Sequence, residues 1–521
     1  MTTVRVVVAA LLPLTIDEPY YALWSHHLAL GYYDHPPLMA WLCAPFIPLG
    51  PSPFAVRLAA LACTTICPIL VYAYARRLCR NELAAAAGGV AALIAPYYSV
   101  IGIMVSPEFA LQMTWAWVLL AAQIAIFPQP ASPPDHNEEA SPPVPDPRIN
   151  LLRWGNLGLA LGLALLSKFT SFALPFGLAL FFAISPRARK RWLGTPWPYL
   201  AGVVALAVYS PFLWWSSQHR WETFVFQATA RSNSGFSFQL GHIPGFVAGT
   251  LAGLSPILGI AFVPALLLSL RQAFGTLPTI SGSTGADVAD HREGIRLALC
   301  IGLPPLTAIC LAVPISHVQV YWTLCTYLSL FPLLGLWYAQ SRRSSYAWPA
   351  VILAFLPLAI ATSAVVVPSV MFRLAGRPQG TGLTEMYGMS SLERKIESVR
   401  SHMPRPSQTF FAAEDHRLAS QLSLMSGESA LMFTTDARGL EYLRWEDPKV
   451  LAGDDCVLVM RRAFVPERTA LRKRLRVCFD RVGKSHAFLC TWHGRPAQTF
   501  YLARCYGFHP DRAGRLTMPP P

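Results

Sequence analysis

The chain has 521 residues, 53% of them hydrophobic and only 13% charged. A soluble protein would carry about 25% charged residues, so the composition excludes an ordinary soluble enzyme and points to an integral membrane protein. The formal charge of +14 does not mark a nucleic-acid binder: no nucleic-acid module accompanies it, and many Lys and Arg fall in short clusters between apolar runs.

The first apolar segment, 4–16, is shorter than the roughly 20 residues that cross a bilayer. No small-residue cleavage site precedes Asp17, so it does not read as a cleavable signal peptide, and the expectation is a start site short of the native one. Further apolar segments cover 37–49, 54–74, 83–105, 109–127, 151–166, 171–184, 199–215, 247–270, 297–314, 320–337 and 347–370. The segment 37–49 leads into the next through Pro45, Pro48, Pro51 and Pro53, which leaves about 11 transmembrane helices.

Basic clusters set the orientation. Arg76, Arg77 and Arg80, then Arg148 and Arg153, then Arg187, Arg189, Lys190 and Arg191, then Arg271, Arg292 and Arg296, and finally Arg342 and Arg343 stand at every other connection. That alternation is the positive-inside pattern and places these connections in the cytoplasm. The loops 17–37, 106–108, 218–242 and 316–321 and the corner at Lys168 then face outward, with the C-terminal region. The stretches 128–147 and 275–294 read as low-complexity cytoplasmic loops.

After a membrane domain over 1–370, the apolar runs cease. Strand patterns at 409–413, 430–434, 456–460 and 498–503 alternate with helical ones at 415–425 and 467–475. The reading is a soluble α/β domain over 371–521, large enough for its own core. Its cysteines, Cys456, Cys478, Cys490 and Cys505, allow disulfides in three pairings between which the sequence does not choose. No CxxC spacing suggests zinc.

Ionisable groups beside membrane spans are costly and mark functional sites. Asp17 and Glu18 end the first apolar segment and open an aromatic loop containing Tyr20, Tyr21 and Trp24. Asp17 is read as the general base for an acceptor hydroxyl, against the plainer role of a helix cap. Glu18 is read as a second catalytic acid or as the structural partner of an Arg. Asp34 and His35, held extended by Pro36 and Pro37, are candidates to ligate a divalent metal ion, to bind a phosphate or to rigidify the loop. Glu108 is a third catalytic candidate, with helix capping after Pro107 as its alternative. Lys168 interrupts a long apolar stretch and suits a lipid phosphate, or else snorkels. His219, Arg220 and Arg231 lie among aromatic residues and could grip a phosphate or a sugar ring. His317 and Trp322 add a third polar intrusion at the same face, where a polar bridge between helices is the alternative. Side chains from these separate loops are expected to meet in one outward pocket. Acids, cations and aromatic rings at a membrane face suit a substrate that is half lipid and half sugar, and no nucleotide-binding glycine loop is visible.

The run Asp17-Glu18-Pro19-Tyr20-Tyr21, then Trp24-Ser25 and Gly31-Tyr32-Tyr33-Asp34-His35-Pro36-Pro37-Leu38, resembles the signature of bacterial family 39-type glycosyltransferases. These are relatives of dolichyl-phosphate-mannose protein mannosyltransferases and of lipid A aminoarabinose transferases. The resemblance continues through Ser106-Pro107-Glu108, Leu166-Ser167-Lys168-Phe169-Thr170, Trp214-Trp215, Gln218-His219 and Trp322 to Glu414-Asp415-His416-Arg417-Leu418-Ala419. It implies a GT-C fold and a polyprenyl-phosphate-linked sugar donor, used at the periplasmic side of a bacterial inner membrane. It implies a catalytic role for Asp17 and a metal or phosphate near Asp34 and His35. The acceptor stays open between a lipid, a polysaccharide and a protein hydroxyl. Glu108 stands where many relatives carry Asp, and the segment 318–322 lacks their usual acid. A transporter or flippase of lipid-linked sugars is the main rival, but it would favour polar groups at mid-membrane and internal repeats. A non-catalytic polysaccharide-binding scaffold would survive replacement of Asp17.

Overall fold

The computed structural model describes residues 2–15, 17–128, 146–229, 238–275, 285–316, 318–341, 386–433, 436–463, 469–492 and 494–512. The predicted segment 347–370, the Arg342 and Arg343 pair, Arg231 and His317 lie outside these residues. The chain forms two compact units. One comprises Met1–Val6, His35–Met39 and Ala59–Thr362, and the other Val7–Asp34, Ala40–Leu58 and Ser363–Pro521.

The first unit is helical. Among the described residues of the chain, six helices are long and apolar enough to cross a membrane: Pro53–Cys79, Pro107–Ile126, Trp197–Gln218, Pro256–Phe274, Val288–Ala312 and Val320–Gln340. A bent pair, Phe169–Ile184 with Pro186–Trp192, makes a seventh span if its two limbs count as one. The protein is a multi-pass membrane protein. Several segments that read as continuous are broken, and proline is the common reason. The predicted span 83–105 is a helix over Glu82–Ile94 followed by an extended Ala95 and a short helix beginning at Pro96. The predicted span 247–270 is two helices, His242–Leu254 and Pro256–Phe274, divided at Ser255 with φ of 76°. Proline lacks the N–H that would continue the ladder and disfavours a helical residue before it.

Small residues bring helices together. At Gly162 a Cβ would lie 2.5 Å from Val208, so Pro147–Leu165 meets Trp197–Gln218 almost backbone to backbone. In a membrane, such close approach replaces the hydrophobic drive that lipid cannot supply. Arg5, a lone charge in the first apolar segment, is buried and donates to Thr64 O, Leu93 O and Ser99 Oγ.

In the second unit, five strands form one sheet: β1 (Thr409–Ala413), β2 (Leu431–Met432), β3 (Asp455–Met460), β4 (Phe479–Trp492) and β5 (Arg495–Phe508), in the order β2-β1-β3-β5-β4. β1 pairs in parallel with β2 and β3, while β5 runs antiparallel to β3 and β4. β1 and β3 are buried along their whole length, as their unbroken apolar runs require of central parallel strands. Phe410, Phe433, Phe479 and Phe508 pack at the core. β4 has no clear apolar run in the sequence because it is an edge strand, half of its residues exposed and several charged. The four cysteines of this region are buried, and Cys456 and Cys505 are cross-strand neighbours.

Candidate functional site

The first loop is held from within by one buried arginine. Arg57, on the first turns of Pro53–Cys79, is fully buried. It donates from Nε to Glu18 Oε1 at 2.8 Å and from Nη2 to Glu18 Oε2 at 2.5 Å. Its other N–H groups go to the carbonyls of Ala9, Leu12 and Pro13. Glu18 Oε2 also accepts from Thr15 N at 2.7 Å. Glu18, only 1% exposed, therefore fixes the turn between the helices Thr2–Leu11 and Glu18–His26.

Asp17 occupies the N-cap position of Glu18–His26, yet its side chain makes no capping bond. It turns instead to Arg417, whose Nε lies 2.6 Å from Asp17 Oδ1, and both side chains are about half exposed (44% and 51%). Arg417 is placed by the helix His416–Ser426, which Asp415 caps by accepting from Leu418 N.

Asp34 is buried and accepts from Arg438 Nε at 2.9 Å. Arg438 also donates from Nη1 to Asp436 Oδ2 at 2.9 Å. It sits at the N-cap of the helix Gly439–Trp445, and that helix's buried Glu441 accepts from Tyr33 N. One short helix thus grips two consecutive residues of the first loop. Burial lowers the Arg438 guanidinium's proton affinity, but Asp34 and Asp436 raise it further, so the net shift is upward and the group stays charged. His416 packs edge-on against buried Tyr20, with centroids 4.9 Å apart. Burial, then Arg438, Arg417 and Arg461, hold the imidazole well below its ordinary value, so it is neutral. Tyr20 and Tyr21 each pack against Trp24, and Trp24 stacks on Tyr32.

A second constellation belongs to the other unit. Glu108, in the first turn of Pro107–Ile126, accepts from Lys168 Nζ; both are buried. The Lys168 ammonium stands 5.6 Å from the Tyr321 ring centroid. Leu38 N, just past the first loop, donates to Leu166 O beside Lys168. His219 stacks on Trp215 at 4.0 Å, and its Nδ1 meets Trp215 O. Arg220 is exposed, with φ of 54°, and Trp322 and His35 are partly buried. So Asp17, Glu18, Tyr20, Tyr21 and Asp34 stand in one unit, and His35, Glu108, Lys168, His219, Arg220 and Trp322 in the other.

The donor set at Asp34 fits a divalent ion poorly. Among the described residues, no group of three or more His, Cys, Asp or Glu is arranged to hold a metal. A guanidinium lies between Asp34 and Asp436.

Sequence reasoning assigned no role to Arg57, Arg417, Arg438, Glu441 or His416. Arg57 had a signal: a lone charge within an apolar run. His416 and Arg417 stand within the motif at 414–419, which carries the resemblance without marking a role, and Arg438 and Glu441 are set by long-range folding.

The fold is that of a multi-pass helical membrane protein with a small sheet domain towards its C-terminus. Residues 34–129 and 148–215 match the family described as dolichyl-phosphate-mannose-protein mannosyltransferase. The lipid A galacturonosyltransferase RgtD of Rhizobium johnstonii is 23% identical over 323 residues, 60% of this chain and 58% of that protein. ArnT from Cupriavidus metallidurans, bound to undecaprenyl phosphate, matches with a TM-score of 0.62 at 17% identity, covering 96% of each chain. Its apo state matches at 0.61 and 16% identity, again over 96% of each. The chain is related to the protein mannosyltransferases and has the ArnT-like fold, as its motifs imply.

Proposed function

We propose that the protein is a glycosyltransferase of a bacterial inner membrane. In this reading it moves a sugar from a polyprenyl-phosphate carrier to an acceptor hydroxyl at the periplasmic face, with inversion. The observation that carries the reading is the carboxylate of Asp17. It is released from capping, half exposed, held by a guanidinium rather than by the backbone, and mounted on a turn that Arg57 and Glu18 make rigid.

Asp17 accepts the proton of the acceptor hydroxyl. The acceptor oxygen forms its bond to the anomeric carbon as the bond from that carbon to the phosphate oxygen breaks, and the lipid phosphate leaves with the electron pair. As Asp17 is neutralised, Arg417 loses its counter-charge and becomes available to the new phosphate charge. Glu18 acts as a positioning residue. Lys168 suits a lipid phosphate by charge, and its ammonium is paired with the Glu108 carboxylate in a buried setting. The mannosyltransferase family match and the undecaprenyl phosphate named for ArnT support a lipid-linked donor. The name of RgtD makes galacturonic acid and a lipid A acceptor the first combination to try.

The test is to incubate purified protein with a panel of polyprenyl-phosphate sugars and acceptors and to measure released polyprenyl phosphate. Turnover that Asp17→Asn abolishes is expected. Turnover of a nucleotide sugar, with every lipid-linked donor inert, would refute the proposal.

A further inference from the structure

The far end of the helical unit carries cations that the proposed reaction does not use. The helix Pro107–Ile126 has 20 residues, which puts about 30 Å between Glu108 in its first turn and Ile126 in its last. At that end Arg77, partly buried, donates from Nη2 to Phe127 O at 3.5 Å. Trp192 Nε1 donates to the neighbouring carbonyl, Ile126 O, at 3.0 Å. Trp192 meets Trp154 edge to face with centroids 5.1 Å apart, and the Arg191 guanidinium stands 5.2 Å from the Trp192 ring centroid. Arg153, next to Trp154 and partly buried, lies near enough for its charge to act on Arg77, as does Arg80. Cations from three helices thus meet around one pair of buried tryptophans.

The carboxylates on the adjoining helix ends are engaged elsewhere: Glu82 on Arg76, Asp290 on Arg187 and Glu293 on Arg296. Among the described residues, no carboxylate pairs with Arg77, Arg153, Lys190 or Arg191. Two N–H donors, Arg77 Nε and Trp154 Nε1, are buried and have no acceptor among the described residues. Buried donors nearly always meet an acceptor. Orientation in the membrane asks only for cations in water at this end. It does not ask for two partly buried arginines side by side with donors unmet. The helix Pro186–Trp192 leaves the axis of Phe169–Ile184 at 102°, so it runs along the bilayer face rather than through it. It exposes Arg187, Arg189, Lys190 and Arg191 and buries Ala188 and Trp192.

We infer that Arg77, Arg153 and the helix Pro186–Trp192 form a binding site for the phosphate of an anionic phospholipid, in the leaflet away from Lys168. Guanidinium groups suit phosphate oxygens, and basic pockets between membrane helices hold anionic headgroups. The tryptophan pair sits at the depth where a headgroup meets its acyl chains, which favours a lipid over a soluble phosphate. The site does not depend on the transfer reaction.

The test titrates full-length protein in detergent with phosphatidylglycerol or phosphatidylcholine, reading bound lipid by native mass spectrometry and folding by thermal melting. Wild type is expected to hold phosphatidylglycerol at least tenfold more tightly. The double variant Arg77→Gln with Arg153→Gln is expected to erase that preference, and Arg191→Gln, on an exposed side chain, to weaken it about fivefold. Arg76→Gln is the control: its side chain is 63% exposed and paired with Glu82, and binding should stay within twofold of wild type. Equal affinity for the two lipids, a preference that survives in the folded double variant, or displacement of the lipid by inorganic phosphate alone would overturn the inference. So would a tenfold gain in lipid affinity when Glu138 and Glu139 are both changed to Gln, because the chain's own acids would then be the occupants. If the double variant does not fold, Arg191→Gln against Arg76→Gln decides, and equal lipid binding by those two overturns the inference.

Discussion

Asp17 and Glu18 are adjacent carboxylates whose removal should have opposite consequences. Glu18→Gln replaces the carboxylate that Arg57 grips with a neutral amide. One Gln oxygen can still accept, but its NH2 group then faces Arg57 Nη2 or Thr15 N, both donors in the native contact. Arg57 is fully buried and Glu18 is 1% exposed, so water does not compensate. Leaving one member of such a pair uncompensated costs about 3–5 kcal/mol. Asp17→Asn instead loosens an ion pair whose side chains are about half exposed, a change of roughly 0–1 kcal/mol. Its effect on rate should be large: loss of a general base slows chemistry by about 10²–10⁴-fold. Chemical denaturation in detergent micelles, paired with the rate of polyprenyl phosphate release, separates the two. Destabilisation by Asp17→Asn equal to that by Glu18→Gln, or an Asp17→Asn rate within tenfold of wild type, would refute this division of roles.

Glu108→Gln should strand the buried Lys168 charge and cost about 3–5 kcal/mol, with the Tyr321 ring offsetting only part of it; an unchanged melting curve would refute this. His416 is neutral when folded but takes up a proton when unfolded below its ordinary value near 6.5. Because the unfolded state then binds more protons, stability should fall with decreasing pH below that point, by up to about 1.4 kcal/mol per pH unit. His416→Phe should remove this component, so identical pH slopes for the two proteins, read by denaturant titration, would contradict it. For topology, the native cysteines of the sheet domain are buried and unsuited to labelling. Val450, 74% exposed, is the better reporter: Val450→Cys should react with an impermeant maleimide on intact spheroplasts, and labelling only after lysis would place the domain in the cytoplasm.

The sequence by itself determined that this is a membrane protein of helical spans followed by a region of alternating strands and helices, because those properties live in composition and local periodicity. The prolines at 45, 48, 51 and 53 marked a break, but the segments over Pro96 and Pro256 read as continuous, and whether a proline divides a span depends on what packs around it. Residue type and spacing also singled out Asp17, Asp34, Glu108 and Lys168, since charge beside apolar runs is visible in one dimension. Only the tertiary structure decided their partners. Arg417 reaches Asp17 across 400 residues of sequence and Arg438 reaches Asp34 across 404, distances over which no local pattern carries information. It also separated two neighbouring carboxylates that look alike in sequence. Burial and a fully engaged guanidinium hold Glu18 to the scaffold, while exposure leaves Asp17 open to a substrate. The physical reason is that a carboxylate's role follows from its solvation and counter-ion, and both are supplied by distant parts of the chain.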